Sequence, residues 1–197
     1  MNKSLRDDLL SWVKAINLRG TFGRRNQKDR ALVEVSTVNE WAIAVMSEFG
    51  LHISDVSPCQ NDPPDCFATL DGKTISIELA ELIDSNRIEE NVAAIEAGNE
   101  PPHYNGEGFD KTQWSRDRFF TELTSLMNKK QTKYQGNGLS FDVLIIHTDE
   151  TWLFPQQVNE WLSLQRIEPI NSFKSAYLLM NYTPGYSDHW PLFRLFG

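Results

Sequence analysis

The spacing of apolar residues along the chain predicts alternating helices and strands. Apolar positions recur every three or four residues at about 29–49 and 112–134, as they do in amphipathic helices. A nearly continuous apolar run at 141–147 is typical of a strand buried on both faces of a sheet. The same criteria predict helices at 4–18, 87–97 and 155–164, and strands at 51–56, 173–180 and 191–196.

A β-hairpin is the strongest local prediction. Asp71-Gly72 separates two short β-prone runs, and this dipeptide suits a type I′ turn, which needs a positive φ at both central residues. With a two-residue loop, Leu70 pairs with Lys73, and the same register sets Asp65 opposite Glu78. Because side chains alternate along a strand, both carboxylates lie on one face of the hairpin, with Cβ atoms roughly 5 Å apart.

Two carboxylates at this separation repel each other. At an effective dielectric near 20, the repulsion is on the order of 3 kcal/mol. A divalent cation, a shared proton or a lysine is needed to offset it. From the sequence alone, the substitution Asp65→Asn is therefore expected to leave the melting temperature unchanged or to raise it.

Composition narrows the class of protein. The 197 residues are 40% hydrophobic and 23% charged, which predicts one folded domain over 1–197 with a substantial core. Apolar runs are shorter than the ~20 residues of a membrane span, and the first residues have no signal-peptide pattern. Two cysteines are too few for a disulfide framework, so we expect a cytoplasmic protein without membrane contact.

The net charge of −8 is unevenly distributed along the chain. A strongly acidic block at 31–110 lies between basic segments at 1–30 and 111–133. This arrangement is expected where carboxylates hold a cation and basic elements hold phosphates. Charge alone is equally compatible with solvated faces that have no function.

The order of these elements resembles the PD-(D/E)xK nuclease superfamily over about 30–147. Pro64-Asp65 opens the second strand and Ile77-Glu78-Leu79 closes the third, as in that motif. The resemblance implies an α/β (α+β) fold with a restriction-endonuclease-like αβββαβ core, in which helices flank a central mixed sheet of four to five strands. The N-terminal helix and the C-terminal helix and strand would be additions to this core.

The resemblance also implies a metal site. Asp65 and Glu78 would bind Mg²⁺ or Mn²⁺, and the first core helix often contributes a glutamate, here Glu40. A second interpretation of Glu40 is open, because Thr37–Glu40 fits a capping box, from which this helix would begin at Thr37 rather than near 29.

The chain departs from the family pattern at Ala80, where the family has a lysine that positions the attacking water. Lys130 is a candidate replacement, because on a helical wheel it lies about 20° from Phe119, inside the apolar stripe of the 112–134 helix. A buried ammonium needs a partner, and Glu78 or Asp65 is the natural one. Alternatively, the Lys130 side chain extends past the apolar face toward the last carbonyls of its helix.

Together these observations predict a nuclease-like, Mg²⁺-dependent hydrolase that acts on DNA or RNA. Asp65 and Glu78 would hold the ion, and Lys130 would orient water. The alternative is a non-catalytic binding or immunity-type module that keeps the fold, which Ala80 favours. Whether the protein forms a homodimer is open. The residues expected to contact nucleic-acid phosphates are Lys133, Arg116, Arg118, Arg24 and Arg25.

Overall fold

A computed structural model of the chain describes residues 27–84, 93, 97, 114–150 and 152–197. Within these residues the protein is α+β, with three helices and one six-stranded mixed sheet. The elements in chain order are α1 (Gln27–Phe49), β1 (Ile53–Pro58), β2 (Cys66–Leu70), β3 (Lys73–Glu81), α2 (Arg116–Gln135), β4 (Phe141–Thr148), α3 (Pro155–Leu164), β5 (Phe173–Met180) and β6 (Leu192–Phe196).

The strands follow one another across the sheet in the order β1-β2-β3-β4-β5-β6. The β3–β4 and β4–β5 pairs are parallel, and the other three pairs are antiparallel. The prediction of four to five strands was too low, because β5 and β6 extend the central sheet itself. Leu192, Leu195 and Phe196 of β6 are buried, so this last strand contributes to the core.

The hairpin of β2 and β3 has the predicted register. Leu70 pairs with Lys73 and Cys66 pairs with Ile77. Asp71 and Gly72 have φ angles of 50° and 74°, as the type I′ turn requires. The predicted register between the two strands is therefore confirmed from the Leu70–Lys73 pair to the Cys66–Ile77 pair.

The sheet separates two hydrophobic layers. On one face, Val38 and Trp41 of α1 share a core cluster with Ile77 of β3. On the other face, Phe119 and Tyr134 of α2 share a core cluster that also includes residues of α3 and β4. Because side chains alternate along β3, α1 and α2 approach this strand from opposite faces.

Element boundaries agree with the predictions at α3 and β5 and differ by one to four residues at the other helices and strands. The boundaries of α3 and β5 are as predicted, and α2 begins after Ser115, whose side chain accepts a hydrogen bond from the Arg118 N–H. The proposed helix start at Thr37 is wrong, because α1 is continuous from Gln27 and the Thr37 hydroxyl donates to the Val33 carbonyl within it.

Two of the predicted helices cannot be compared with the structure. The helix at 4–18 lies outside the described residues, and so does nearly all of the one at 87–97. Among the helices that are described, the length and hydropathy needed to cross a membrane are not reached.

Candidate metal centre

The candidate site lies where β3 extends beyond the end of β2. Their pairing ends at Cys66 and Ile77, whereas β3 continues to Glu81. Beyond that point, side chains bind the strand edge. The Leu79 N–H donates to Oδ2 of Asp65 at 2.7 Å, and the Leu79 carbonyl accepts from Nζ of Lys130 at 2.6 Å. Asp65 and Lys130 thus satisfy backbone groups that a neighbouring strand would otherwise pair.

Three carboxylates meet at this edge. One oxygen from each of Asp62, Asp65 and Glu78 lies within 4.8 Å of the others. Asp65 and Glu78 are buried, with 5% and 1% of their surface exposed. The predicted proximity of these two residues is therefore confirmed. Asp62 was not predicted, although its place at the start of the Asp62–Asp65 turn beside the hairpin is a signal that could have indicated it.

Arg30 of α1 binds the outer side of the cluster. One guanidinium nitrogen lies 2.8 Å from Oδ1 of Asp65 and 2.8 Å from Oδ2 of Asp62. Its Nε lies 2.5 Å from Oε1 of Glu34, one helical turn away. These contacts raise the pKa of Arg30, and the hydrogen bond to Glu34 is the main cause. Arg30 was not predicted as a site residue, although the helix predicted at about 29–49 contains it.

Glu34 is mostly buried, with 15% of its side chain exposed. Burial raises the pKa of Glu34 to about 7; the hydrogen bond from Arg30 opposes this effect, and the negative charge of Asp65 adds to it. Of the glutamates on α1, Glu34 lines the cleft beside the carboxylates. Glu40, the predicted third acid, is buried two turns further along α1 and is not part of that lining.

Lys130 pairs with Glu78, one of its two predicted partners. Its Nζ lies 2.7 Å from Oε1 of Glu78, and 18% of the lysine side chain is exposed. The same oxygen accepts a hydrogen bond from the Tyr134 hydroxyl. The other oxygen, Oε2, is buried without a hydrogen-bond partner among the described residues. Lys130 therefore extends to the carboxylate and not to the carbonyls at the end of its helix.

Tyr134 joins two lysines at the end of α2. Its hydroxyl accepts a hydrogen bond from Nζ of Lys133 at 2.9 Å. The ammonium groups of Lys133 and Lys130 lie 4.8 and 5.8 Å from the ring centroid. Burial raises the pKa of Tyr134, and the hydrogen bond to Glu78 raises it further. In the sequence, Tyr134 ends the helix predicted at 112–134, and its i+4 spacing from Lys130 is the signal that indicates a shared partner.

A cleft of about 280 Å³ opens beside the carboxylates. α1 forms one wall, α2 forms the opposite wall, and the end of β3 lies between them together with His147 of β4. Its charged lining combines acids and bases, namely Arg30, Glu34, Asp65, Glu78, Glu81, Lys130 and Lys133. A second cavity has a volume of about 250 Å³ and shares Arg30 and Asp65 with the first. Its lining also includes Pro58, Cys59, Gln60 and Asp62.

The four arginines predicted to bind phosphates are placed elsewhere or lie outside the described residues. Arg116 and Arg118 begin α2, so Arg116 lies about 21 Å along the helix axis from Lys130. Arg116 contacts Gln165, and Arg118 forms an ion pair with Asp84. Arg24 and Arg25 lie outside the described residues. Of the predicted phosphate-binding residues, the structure brings Lys133 to the cleft.

The carboxylate cluster fits a small divalent cation. Mg²⁺ and Mn²⁺ prefer carboxylate oxygens as ligands, and three carboxylates converge here. The buried Oε2 of Glu78 is an acceptor that the described protein groups leave unsatisfied, and such an oxygen is costly unless something binds it. With this donor set and the unsatisfied oxygen, the cluster could hold a metal ion.

Comparison with known proteins adds no relative. The chain matches no protein-family model, and no curated protein or solved structure is significantly similar to it. Its function must therefore be argued from the chemistry of the cleft, since a fold alone does not imply an activity.

Proposed function

We propose that the protein is a Mg²⁺-dependent hydrolase that cleaves phosphodiester bonds in nucleic acid. The observation that carries this proposal is that two buried carboxylates and a lysine meet in one cleft, although they come from different elements. Asp65 and Glu78 belong to the hairpin, and Lys130 reaches them from α2. This is the set of groups that the resemblance to PD-(D/E)xK nucleases implies.

Asp62, Asp65 and Glu78 would hold the cation, because their oxygens already converge. Bound there, the cation would supply positive charge that polarises the scissile phosphate and lowers the pKa of a coordinated water. The carboxylates themselves bind and orient it. The Leu79 N–H contributes by holding Oδ2 of Asp65 at 2.7 Å, which limits rotation of that side chain.

Lys130 is suited to orient water and to stabilise negative charge. An ammonium has three donors, and Lys130 directs two of them to Glu78 and the Leu79 carbonyl. The third donor is left for a water or a phosphate oxygen in the cleft. Because two contacts hold the ammonium in place, it stabilises developing charge with little reorganisation.

Two further cations at the cleft are suited to phosphates. The Lys133 side chain lies at the cleft, and Arg30 has 47% of its side chain exposed. Contacts of such residues with phosphates depend on charge and not on base sequence. We therefore expect binding that weakens strongly as salt increases and that discriminates little between sequences.

One observation favours a second candidate function, a non-catalytic binding module. Both buried carboxylates already have cationic partners, Arg30 at Asp65 and Lys130 at Glu78. Ion pairs between buried carboxylates and cations also occur in proteins as purely structural features. In addition, Ala80 occupies the position at which PD-(D/E)xK nucleases have a lysine. In this interpretation, the acidic chain binds a basic partner.

A cleavage assay distinguishes the two functions. Labelled single-stranded DNA, duplex DNA and RNA are incubated with the protein at low salt in Mn²⁺ or Mg²⁺, with Asp65→Ala as the inactive reference. We expect cleavage of at least one substrate that EDTA and Asp65→Ala abolish. Lys129→Ala, which alters an exposed neighbour of Lys130, is the matched control and should cleave as the wild type does. Wild-type protein that neither cleaves any substrate nor binds Mn²⁺ in calorimetry would overturn the proposal in favour of the binding module.

A further inference from the structure

We propose that Tyr134 is a positioning residue that, with Lys130, orients the Glu78 carboxylate so that one oxygen stays available for the cation. The inference rests on the proposed cation site and adds a residue that the PD-(D/E)xK motif does not contain. It concerns how the site is prepared before any cation binds.

The two donors converge on the same atom. The Tyr134 hydroxyl and the Lys130 ammonium both donate to Oε1 of Glu78. The terminal torsion of a glutamate side chain is broad, so without such contacts the carboxylate plane would rotate. Two donors from different side chains restrict that rotation. Among the described residues, Oε2 is then without a hydrogen-bond partner, in a side chain that is 2% exposed.

Tyr134 is itself held rigidly. Its ring packs edge-on against Phe141 and Phe173, with centroid distances of 4.8 and 6.0 Å, and the residue is 1% exposed. The hydroxyl therefore has little freedom to move away from Glu78. A rigid support of this kind is what a ligand-orienting group requires.

Lys133 sets the direction of the hydrogen bond. An ammonium can only donate, so the Tyr134 oxygen acts as acceptor in its contact with Nζ of Lys133. The hydroxyl hydrogen is then left to point at Glu78. Donation from Lys133 also polarises the O–H bond and strengthens its donation to the carboxylate.

The consequence is measurable as a change in cation affinity. Loss of a group that orients a metal ligand typically weakens metal binding by 10- to 100-fold. Tyr134→Phe removes the hydroxyl and keeps the ring packing. Tyr177→Phe is the matched control, because Tyr177 is also buried but lies in the other hydrophobic layer, against Trp41.

The first experiment is calorimetric titration of the full chain with Mn²⁺. We expect Tyr134→Phe to bind about tenfold more weakly than the wild type, and Tyr177→Phe to bind with wild-type affinity. Equal affinities of Tyr134→Phe and the wild type would overturn the role of Tyr134 and leave the proposed function standing. A wild type that binds no Mn²⁺ would overturn both.

A second experiment keeps the phenol hydroxyl at position 134 in place. The five tyrosines are replaced by 3-fluorotyrosine, and the Tyr134 resonance is assigned by substituting the other four in turn. Mg²⁺ should shift the Tyr134 resonance, because the cation draws charge from the carboxylate that this phenol contacts, and it should leave the Tyr177 resonance in place. A Tyr134 resonance that does not respond while calorimetry shows bound Mg²⁺ would contradict the proposal, since that is how a merely structural tyrosine behaves.

Discussion

The ammonium of Lys130 lies 2.7 Å from Oε1 of Glu78, although 52 residues separate them in the chain. The pair joins α2 to the end of β3, beside Ala80 in the same cleft. An ammonium is therefore present at the carboxylates although β3 itself carries an alanine at this position. The Lys130 contact also reduces the repulsion between Asp65 and Glu78. The sequence predicted that this repulsion needs an offsetting group.

Replacement of Lys130 is expected to separate catalysis from cation binding. Lys130→Met should abolish cleavage and weaken Mn²⁺ binding by about tenfold without abolishing it, because Asp62, Asp65 and Glu78 remain but one of the two donors that orient Glu78 is lost. Loss of the ammonium leaves Glu78 buried without its cation, so the variant should also lose up to about 3 kcal/mol of stability without added cation. Nuclease assays and calorimetry on the same preparation measure the two effects.

Lys129→Met is the control for this prediction, since it changes an exposed residue at the adjacent position. It should match the wild type in cleavage and in binding. Cleavage that persists in Lys130→Met and is absent in Asp65→Ala would contradict the role of Lys130 and direct attention to Lys133, which also lines the cleft.

Asp65→Asn is expected to destabilise the protein, which reverses the expectation from sequence. The Asp65 carboxylate accepts from the Leu79 N–H and from Arg30, so it is bound by donors on both oxygens. An asparagine has one acceptor oxygen and satisfies one of these donors. We expect a loss of about 1–3 kcal/mol in the free energy of unfolding, measured by urea denaturation without divalent cation.

Asp62→Asn provides the comparison, because 43% of the Asp62 side chain is exposed where it pairs with Arg30. An exposed ion pair contributes about 0–1 kcal/mol, so this variant should be close to the wild type. Should Asp65→Asn be as stable as the wild type or more stable, repulsion between Asp65 and Glu78 would outweigh the hydrogen bonds.

Divalent cations are expected to stabilise the wild type by mass action. At a concentration one hundred times the dissociation constant, the gain is about 2.7 kcal/mol. Glu78→Gln should lose this gain, because it removes a buried ligand. Asp142→Asn should keep it, because Asp142 pairs with Lys174 and is not part of the cluster. Thermal unfolding with and without Mg²⁺ at matched ionic strength tests this, and equal shifts in all three proteins would count against a site at Glu78.

The free energy of unfolding should fall as the pH rises, because of the titration of Glu34. Its pKa is about 7 in the folded protein against an ordinary value of 4.5, so between these values the folded state holds a proton that the unfolded state has released. Raising the pH through this window therefore removes stability, by at most about 3 kcal/mol. Below this pH window Glu34 is protonated in both the folded and the unfolded state. Above the window the loss of stability is complete.

Glu34→Gln removes this titration. Relative to the wild type, the variant should gain stability between pH 5 and pH 8, as measured by urea denaturation at each pH. Glu160→Gln, at an exposed position of α3, should show no such gain. A difference between Glu34→Gln and the wild type that is the same at both pH values would show that Glu34 is ionised throughout.

Local features of the sequence determined much of the fold. The Asp71-Gly72 turn and the alternation of side chains beside it were sufficient for the hairpin register, because a two-residue loop leaves one way to pair the strands. Pro155 and the apolar spacing that follows it were sufficient for α3. The same local register brought Asp65 and Glu78 together, so the acidic half of the candidate site was predictable.

The tertiary structure alone decided the rest of the site. Arg30 and Tyr134 reach the carboxylates because α1 and α2 pack on opposite faces of the sheet and both meet β3 beyond the end of β2. The spacing of residues along the chain does not predict that α1 and α2 both reach this end of β3. The helical spacing in the sequence also placed Lys130 on the inward-facing stripe of its helix. The contact of Lys130 with Glu78, however, depended on how α2 lies across β3. Periodicity determines which face of an element is buried; packing determines which residues of other elements that face will meet.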